Sequence, residues 1–415
     1  MKPRRTGIRT REHLIHLLTE AAEVEHNLLC AYLYATFSLK RAGEPGLTAE
    51  QGEAVERWRK VILTVALEEM AHLASVNNLL IAIGGAPHFD RPNLPSSPGY
   101  VSASVVVRLT PFNKASLDHF IFLERADAVD VPVADGFEPE APAREAPRDR
   151  ITPSAEDYAT IGELYDSLAD GFSEVTAMIG EGVLIDPAGA GQLDSEILKL
   201  PNVRRITDLA SALAVIEHIK EEGEGSGGAR EASHFDRFVS IRDEWADLVS
   251  RAPDFEPAWP AAHDPVMRRP ANGLERVWIT AEPAASLLDL GNALYGTMLQ
   301  LLDQTFTCAD PDDRSALMLA SVEVMEACAA VATALARLPA SPDHPGVNAG
   351  ITFAVPRNLG YRPNPTRTRT VFKERLGALA SRARDILTGE TAQKAERRLG
   401  NALKLLGNES PNLDP

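Results

Sequence analysis

Cysteine is scarce in this chain, and basic residues are outnumbered. Cys30, Cys308 and Cys328 are the three cysteines in 415 residues, and they stand far apart with no C-x-x-C pair. That argues against a disulfide framework or a thiolate zinc site, and it suits a reducing cytoplasm. The formal net charge is −17. Nucleic acid and anionic membranes both need a cationic surface, so neither is an expected partner. Apolar runs are broken by charges before they reach about 18 residues, which argues against a transmembrane helix. The N-terminal MKPRRTGIRTREHLIHLLTE passes directly into an amphipathic helix. It has no apolar signal core of roughly 7 to 15 residues, so no secretion signal is expected. Phosphate loops, a G-x-S-x-G elbow, a dinucleotide fingerprint and long internal repeats are also missing.

What is present centres on Val61 to Ile83, VILTVALEEMAHLASVNNLLIAI. Glu69-Met70-Ala71-His72 is an E-x-x-H step, and positions three apart share a face of a helix with about 3.6 residues per turn. Ile62, Ala66, Leu73, Val76, Leu80 and Ile83 lie on that face too, whereas Glu68 groups with Thr64 and Ser75. Glu69 and His72 are therefore expected to point inward. A carboxylate among Leu, Val and Ile is costly unless paired or bound to a cation.

The preceding segment, Thr10 to about Arg41, has the period of an amphipathic helix, with Leu14, Leu18, Ala21, Glu25, Leu28, Tyr32, Thr36 and Leu39 on one side. Glu25 is the acid within that stripe. Gly43-Glu44-Pro45-Gly46 ends the helix, and Thr48 with Gln51 reads as a capping box for the next. The short turn makes the two helices antiparallel neighbours. A long excursion follows from about 86 to 153, with a strand expected at Tyr100 to Leu109. A third helix is expected from about Ser154 to Gly180, where Glu163 faces away from the apolar positions together with Ser167, Asp170 and Glu174. The fourth begins near Ile206, breaks at the glycine-rich Gly223 to Gly228, and continues past a second E-x-x-H, Glu231-Ala232-Ser233-His234. Spacing alone leaves Glu224 and Glu231 as alternatives on this helix. Pro-rich chain then leads into an expected C-terminal helical region: Glu282 to Phe306, Asp312 to Leu338, and two basic amphipathic helices within Thr366 to Leu406.

Two E-x-x-H steps with further helical carboxylates are the ligand set of a carboxylate-bridged two-metal site. A long crossover between the second and third helices is the ferritin-like arrangement. Oxygen and imidazole ligands suit iron or manganese. The expected fold is all-α: a ferritin-like four-helix bundle over 1–250 with an inserted loop and strand, and a C-terminal helical region over 251–415 packed on it.

Several stretches resemble a known family. EVEHNLLCAYLYATFSLK, ALEEMAHLASVNNLLIAIGGAP, TIGELY, EEGEG and SHFDRF, with ALYGTMLQLL and PGVNAGITF nearer the C-terminus, are similar to the ferritin-like family of the iminophenyl-pyruvate dimer synthase in violacein-type bisindole biosynthesis. The resemblance implies Glu25, Glu69, His72, Glu163, Glu224 and His234 as metal ligands. It thereby raises Glu163 against its helical phase and favours Glu224 over Glu231. Glu222 stands where the family usually has Gln. The expected function is an oxidoreductase in which two Fe or Mn ions activate O2 toward a small, amino-acid-derived substrate, in a chain that could form a homo-oligomer. The rival expectations are a non-catalytic iron-storage protein and a metal-free helical scaffold.

Overall fold

The computed structural model describes residues 8–144, 153, 157–225, 232–270, 276–360 and 362–407. The chain divides into two compact units. One gathers Met1–His88, Pro95–Arg108 and Phe112–Ala258; the other gathers Phe89–Leu94, Leu109–Pro111 and Trp259–Pro415.

In the first unit α1 spans Arg11–Ser38 and α2 spans Ala49–Ala82. Thr10 caps α1 by accepting the His13 N–H, and Thr48 with Gln51 forms both halves of a capping box on α2. Such caps satisfy N–H groups that have no partner inside the helix. The connection places Gly43 and Gly46 at φ of 85° and 87°, where a side chain would be strained. The two helices then pack along their length.

The excursion after α2 departs from the expected strand. No strand forms among the described residues; the bridges present are isolated. Val101, Val105 and Val107 are buried, but the backbone turns locally through a Val105 N–H to Ser102 carbonyl bond. Ser102 also donates its hydroxyl to the Tyr158 carbonyl at 2.8 Å. A valine-rich run with no neighbouring strand to pair with has no ladder to join, so its β propensity is spent on burial alone. Further on is a helix the sequence reading lacked, α3 at Lys114–Leu123, started by an Asn113/Ser116 capping box and ended at Glu124.

The third bundle helix, α4, covers Ile161–Ile179 and so begins later than the expected Ser154, because Thr160 supplies its cap by accepting the Glu163 N–H. Short turns α5 (Glu181–Leu184) and α6 (Ser195–Leu198) lead to α7, Leu209–Glu224, and then α8, His234–Arg251. The fourth bundle helix is thus two helices. Gly225 ends the first at φ 84°, and a Cβ there would lie 3.2 Å from Ser233 Cβ, so glycine is required at the break. Ser233 and Asp236 then cap α8 reciprocally. Helices α1, α2, α4 and α7–α8 form the bundle around a core that includes Leu14, Leu18, Ile62, Leu80, Leu168 and Phe172, and α3 packs on α8.

The second unit contains α9 (Ala284–Thr307), α10 (Pro311–Leu335), α11 (Pro365–Ile386) and α12 (Gly389–Gly407). Helix α10 packs on α9 and α12. By length and composition it is apolar enough to cross a membrane, but Glu323 and Glu326 interrupt it and half of its most apolar window is buried in the protein, as in the core helix of a soluble protein. Polar residues of α9 face inward and hold the loop between α10 and α11: Asn292 bonds Thr352 and the Ala354 N–H, and Gln300 bonds Asn358.

Candidate metal centre

Glu69 stands at the middle of a buried cluster in the first unit. Its Oε2 lies 3.1 Å from His72 Nδ1, one helical turn away, and its Oε1 lies 3.0 Å from His234 Nδ1 on the first residue of α8. Glu25 of α1 approaches His72 Nδ1 at 3.6 Å, and Glu124 at the end of α3 approaches His234 Nδ1 at 3.5 Å. Two triads result, Glu25–Glu69–His72 and Glu69–Glu124–His234. Each presents ligand atoms within 4.8 Å of one another, and Glu69 is common to both. None of the five residues is more than 5% exposed.

Both imidazoles are oriented alike. Nδ1 faces the cluster, while Nε2 meets an outer carboxylate: Glu222 at 2.9 Å for His72 and Glu68 at 3.1 Å for His234. An outer carboxylate that takes the Nε2–H leaves the Nδ1 lone pair for a cation, the usual support of a metal-bound histidine. Arg237 in turn pairs with Glu68. The two terminal carboxylates are held alike as well. Tyr165 of α4 donates its hydroxyl to Glu25 Oε1, and Tyr32 of α1 donates to Glu124 Oε1. The remaining oxygen of each is thereby turned toward the centre.

The electrostatics describe a site short of positive charge. Burial, reinforced by the neighbouring Glu69 charge, pushes the Glu25 carboxyl up from 4.5 to about 8. Burial would discharge His72 and His234, but Glu69 and the flanking carboxylates hold both well above the usual imidazole range. The same pairs outweigh burial at Glu69 and hold it well below the carboxylate range. Burial raises the Tyr32 and Tyr165 hydroxyls, and the adjacent carboxylates raise them further, so both stay protonated donors.

Two buried atoms pointing into the cluster lack a hydrogen bond of acceptable geometry among the described residues: Glu25 Oε2 and His234 Nδ1. His234 Nδ1 lies 3.0 Å from Glu69 Oε1, yet the two are not aligned as donor and acceptor. Orphaned ligand atoms converging from two sides, with a three-carboxylate, two-imidazole donor set, fit a pair of divalent cations that prefer O and N ligands. A cavity of about 20 Å³ adjoins the cluster, between Leu28, Leu123 and the facing ends of α4 and α7. That is room for a water-sized occupant.

The residues named from the sequence fall in three places. Glu25, Glu69, His72 and His234 come together in the triads. Glu224 lines the same cavity but belongs to neither triad. It packs on Gly162 so closely that a Cβ there would lie 1.7 Å from Glu224 Oε1, and burial pushes its carboxyl to about 7. Glu163 joins neither triad. It sits half-buried in the first turn of α4, where its carboxylate accepts the Ala159 N–H at 2.8 Å. Glu231 lies outside the described residues. Sequence reasoning missed Glu124, Glu222, Glu68 and the two tyrosines. Tyr32 carried a signal in the apolar stripe two turns beyond Glu25, and Glu222 carried one as the departure from the family's usual Gln.

A family model described as Ferritin-like matches residues 18–243. Over 417 residues the chain is 28% identical to dichlorochromopyrrolate synthase of Lentzea aerocolonigenes, covering 91% of this chain and 39% of that protein. Over 346 residues it is 28% identical to 2-imino-3-(indol-3-yl)propanoate dimerase of Chromobacterium violaceum, covering 77% of this chain and 31% of that protein. The chain therefore spans well under half the length of these relatives. Among solved structures, a ferritin-like protein from Caulobacter vibrioides is similar with a TM-score of 0.45 and 20% identity, over 75% of this chain and 96% of that one.

Proposed function

The chain belongs to the ferritin-like family, and on that premise we propose that it is a two-metal oxidoreductase acting with O2 on a small amino-acid-derived carboxylic acid. The observation that carries the reading is the shared carboxylate: Glu69 offers one oxygen to each histidine half of the cluster. Glu25 with His72 would hold one ion and Glu124 with His234 the other, Glu69 bridging them. Two adjacent iron or manganese ions supply the electrons that O2 activation requires.

The residues around them have separate tasks. Glu222 and Glu68 would take the Nε2–H of His72 and His234 and so leave each Nδ1 lone pair to a bound ion. Tyr165 and Tyr32 hold one oxygen of Glu25 and one of Glu124. Leu28, Leu123, Ile161 and Ile219 wall the cavity with apolar surface and limit water at the reacting end. The relatives' names contain two carboxylic acids, a propanoate that one dimerises and a pyrrolate that the other synthesises, and that supports the substrate class.

The test is O2 consumption by the ferrous protein with and without an indole- or phenyl-substituted 2-imino acid, generated in place from the amino acid. Uptake that depends on the organic acid supports the reading. Uptake independent of it, with iron accumulating far beyond two per chain, would instead identify a storage protein.

A further inference from the structure

The two halves of the cluster match in their parts. Each has a terminal glutamate held by a tyrosine hydroxyl, an imidazole with Nδ1 inward, and an outer carboxylate on Nε2. The outer carboxylates are also alike in burial, with side chains 15% exposed at Glu222 and 13% at Glu68. The halves differ in what else those carboxylates meet.

Glu68 Oε2, the oxygen 3.1 Å from His234 Nε2, also accepts Arg237 Nη1 at 2.5 Å. Arg237 lies one turn beyond His234 on α8, and its Nε donates to the Ala232 carbonyl at 2.8 Å. Its side chain is 17% exposed, so two hydrogen bonds and its surroundings hold the guanidinium in place. On the other half Glu222 Oε2, 2.9 Å from His72 Nε2, has His218 Nε2 at 3.5 Å with no hydrogen bond between them. A guanidinium is charged at every working pH, whereas an imidazole is charged only when protonated.

An ionised carboxylate on the far nitrogen of an imidazole makes the near nitrogen a better donor to a cation. A guanidinium bonded to the same carboxylate oxygen draws on that charge, and it places a fixed positive charge behind His234. Both effects disfavour a cation on that side.

We infer that Arg237 makes the two metal positions unequal, so that the ion held by Glu25, Glu69 and His72 is bound more tightly than the ion held by Glu69, Glu124 and His234. The inference rests on the two-metal reading and adds an order of filling to it. Arg237 belongs to neither triad and acts through Glu68 and His234, so its replacement leaves both donor sets in place.

The experiment uses the full chain and Zn(II), with affinities read by competition against a chromophoric chelator and with metal content and circular dichroism recorded for every variant. Two double variants each keep one position. Glu124→Ala with His234→Ala keeps the Glu25–His72 position, and Glu25→Ala with His72→Ala keeps the other. The first should hold its single ion tenfold or more tighter than the second. Adding Arg237→Met should strengthen binding by the second about tenfold and leave the first within twofold, whereas adding Arg237→Lys should keep most of the difference because the charge remains. In the otherwise wild-type chain, with both donor sets intact, Arg237→Met should strengthen the second Zn(II) step and leave the first unchanged, which tests the inference even where a double variant fails to fold. Equal affinities in the two double variants, or an equal effect of Arg237→Met on both steps, would overturn the inference and leave the two-metal reading standing, since wild type would still hold two ions. Failure of wild type to take up Zn(II) would overturn both.

Discussion

Replacing Glu25 by Gln should make the metal-free protein more stable at pH 8 and leave it a poor metal binder. Glu25 is 1% exposed and faces the Glu69 charge. Its carboxyl moves from 4.5 in water to about 8 in the fold. Below pH ~4.5 the group is protonated in both folded and unfolded chains and contributes no difference. As the pH rises, the unfolded chain loses this proton first, so the folded state binds more protons and unfolding becomes easier. The penalty grows by about 1.4 kcal/mol per pH unit and levels off above pH ~8, for a ceiling of roughly 5 kcal/mol. Coupling to Glu69 and His72 will reduce what is realised to a fraction of that ceiling, roughly 1 to 3 kcal/mol.

Glutamine has the same shape and can still accept the Tyr165 hydroxyl, but it carries no charge. Urea unfolding of the metal-free chains at pH 5, 6, 7 and 8 measures the difference. Trp259→Phe and Trp278→Phe in the background leave Trp58 and Trp245, both in the first unit, as reporters of that unit. The difference between Glu25→Gln and wild type should be near zero at pH 5 and widen steadily toward pH 8. With saturating metal the order should reverse, because the wild type gains binding energy the variant lacks. A difference that is flat with pH, or a variant with wild-type metal affinity, would refute the account of Glu25 as a ligand held ready at a cost in stability.

Tyr165→Phe removes the hydroxyl that holds Glu25 Oε1, and competition against a chelator should show metal affinity falling roughly 10- to 100-fold with the fold intact. Gly162→Ala should cost about 1 to 3 kcal/mol, since the new methyl group meets Glu224 Oε1 at 1.7 Å. Thermal denaturation should show much of that loss recovered in the double variant with Glu224→Ala, whereas an unrecovered loss would mean that backbone and not Glu224 is the obstacle. Glu124→Ala should lower bound metal from about two ions per chain toward one, while Glu163→Ala should leave it unchanged. The opposite pattern by elemental analysis would restore Glu163 to the ligand set.

Much of the bundle is legible in the sequence because its signals are local. The Thr48/Gln51 box starts α2 as its spacing requires, and the apolar period of Val61 to Ile83 sets Glu69 and His72 on the buried side. The inward carboxylate of α1 follows from the same period. His234 of the second E-x-x-H joins the cluster as the first residue of α8, after the Gly225 end of α7 and the Ser233 cap, whereas Glu231 lies outside the described residues. Glu124 has no periodic signal at all. It is the C-cap of a short helix inside a segment that reads as loop, and only the packing of α3 on α8 brings it to His234. Glu163 shows the converse. Its phase pointed outward, the resemblance pointed inward, and its carboxylate serves the first turn of its own helix. Glu222 was visible only as a departure from the family's usual Gln, and its bond to His72 Nε2 shows what the added charge touches.

Metal content tests the central claim most directly. Protein purified without chelator, and again after reconstitution with Fe(II) or Mn(II), should contain about two ions per chain by elemental analysis. The double variant Glu69→Ala with His72→Ala should contain close to none while remaining helical. Equal metal in wild type and variant, or none in the wild type after reconstitution, would contradict a two-metal centre built around Glu69.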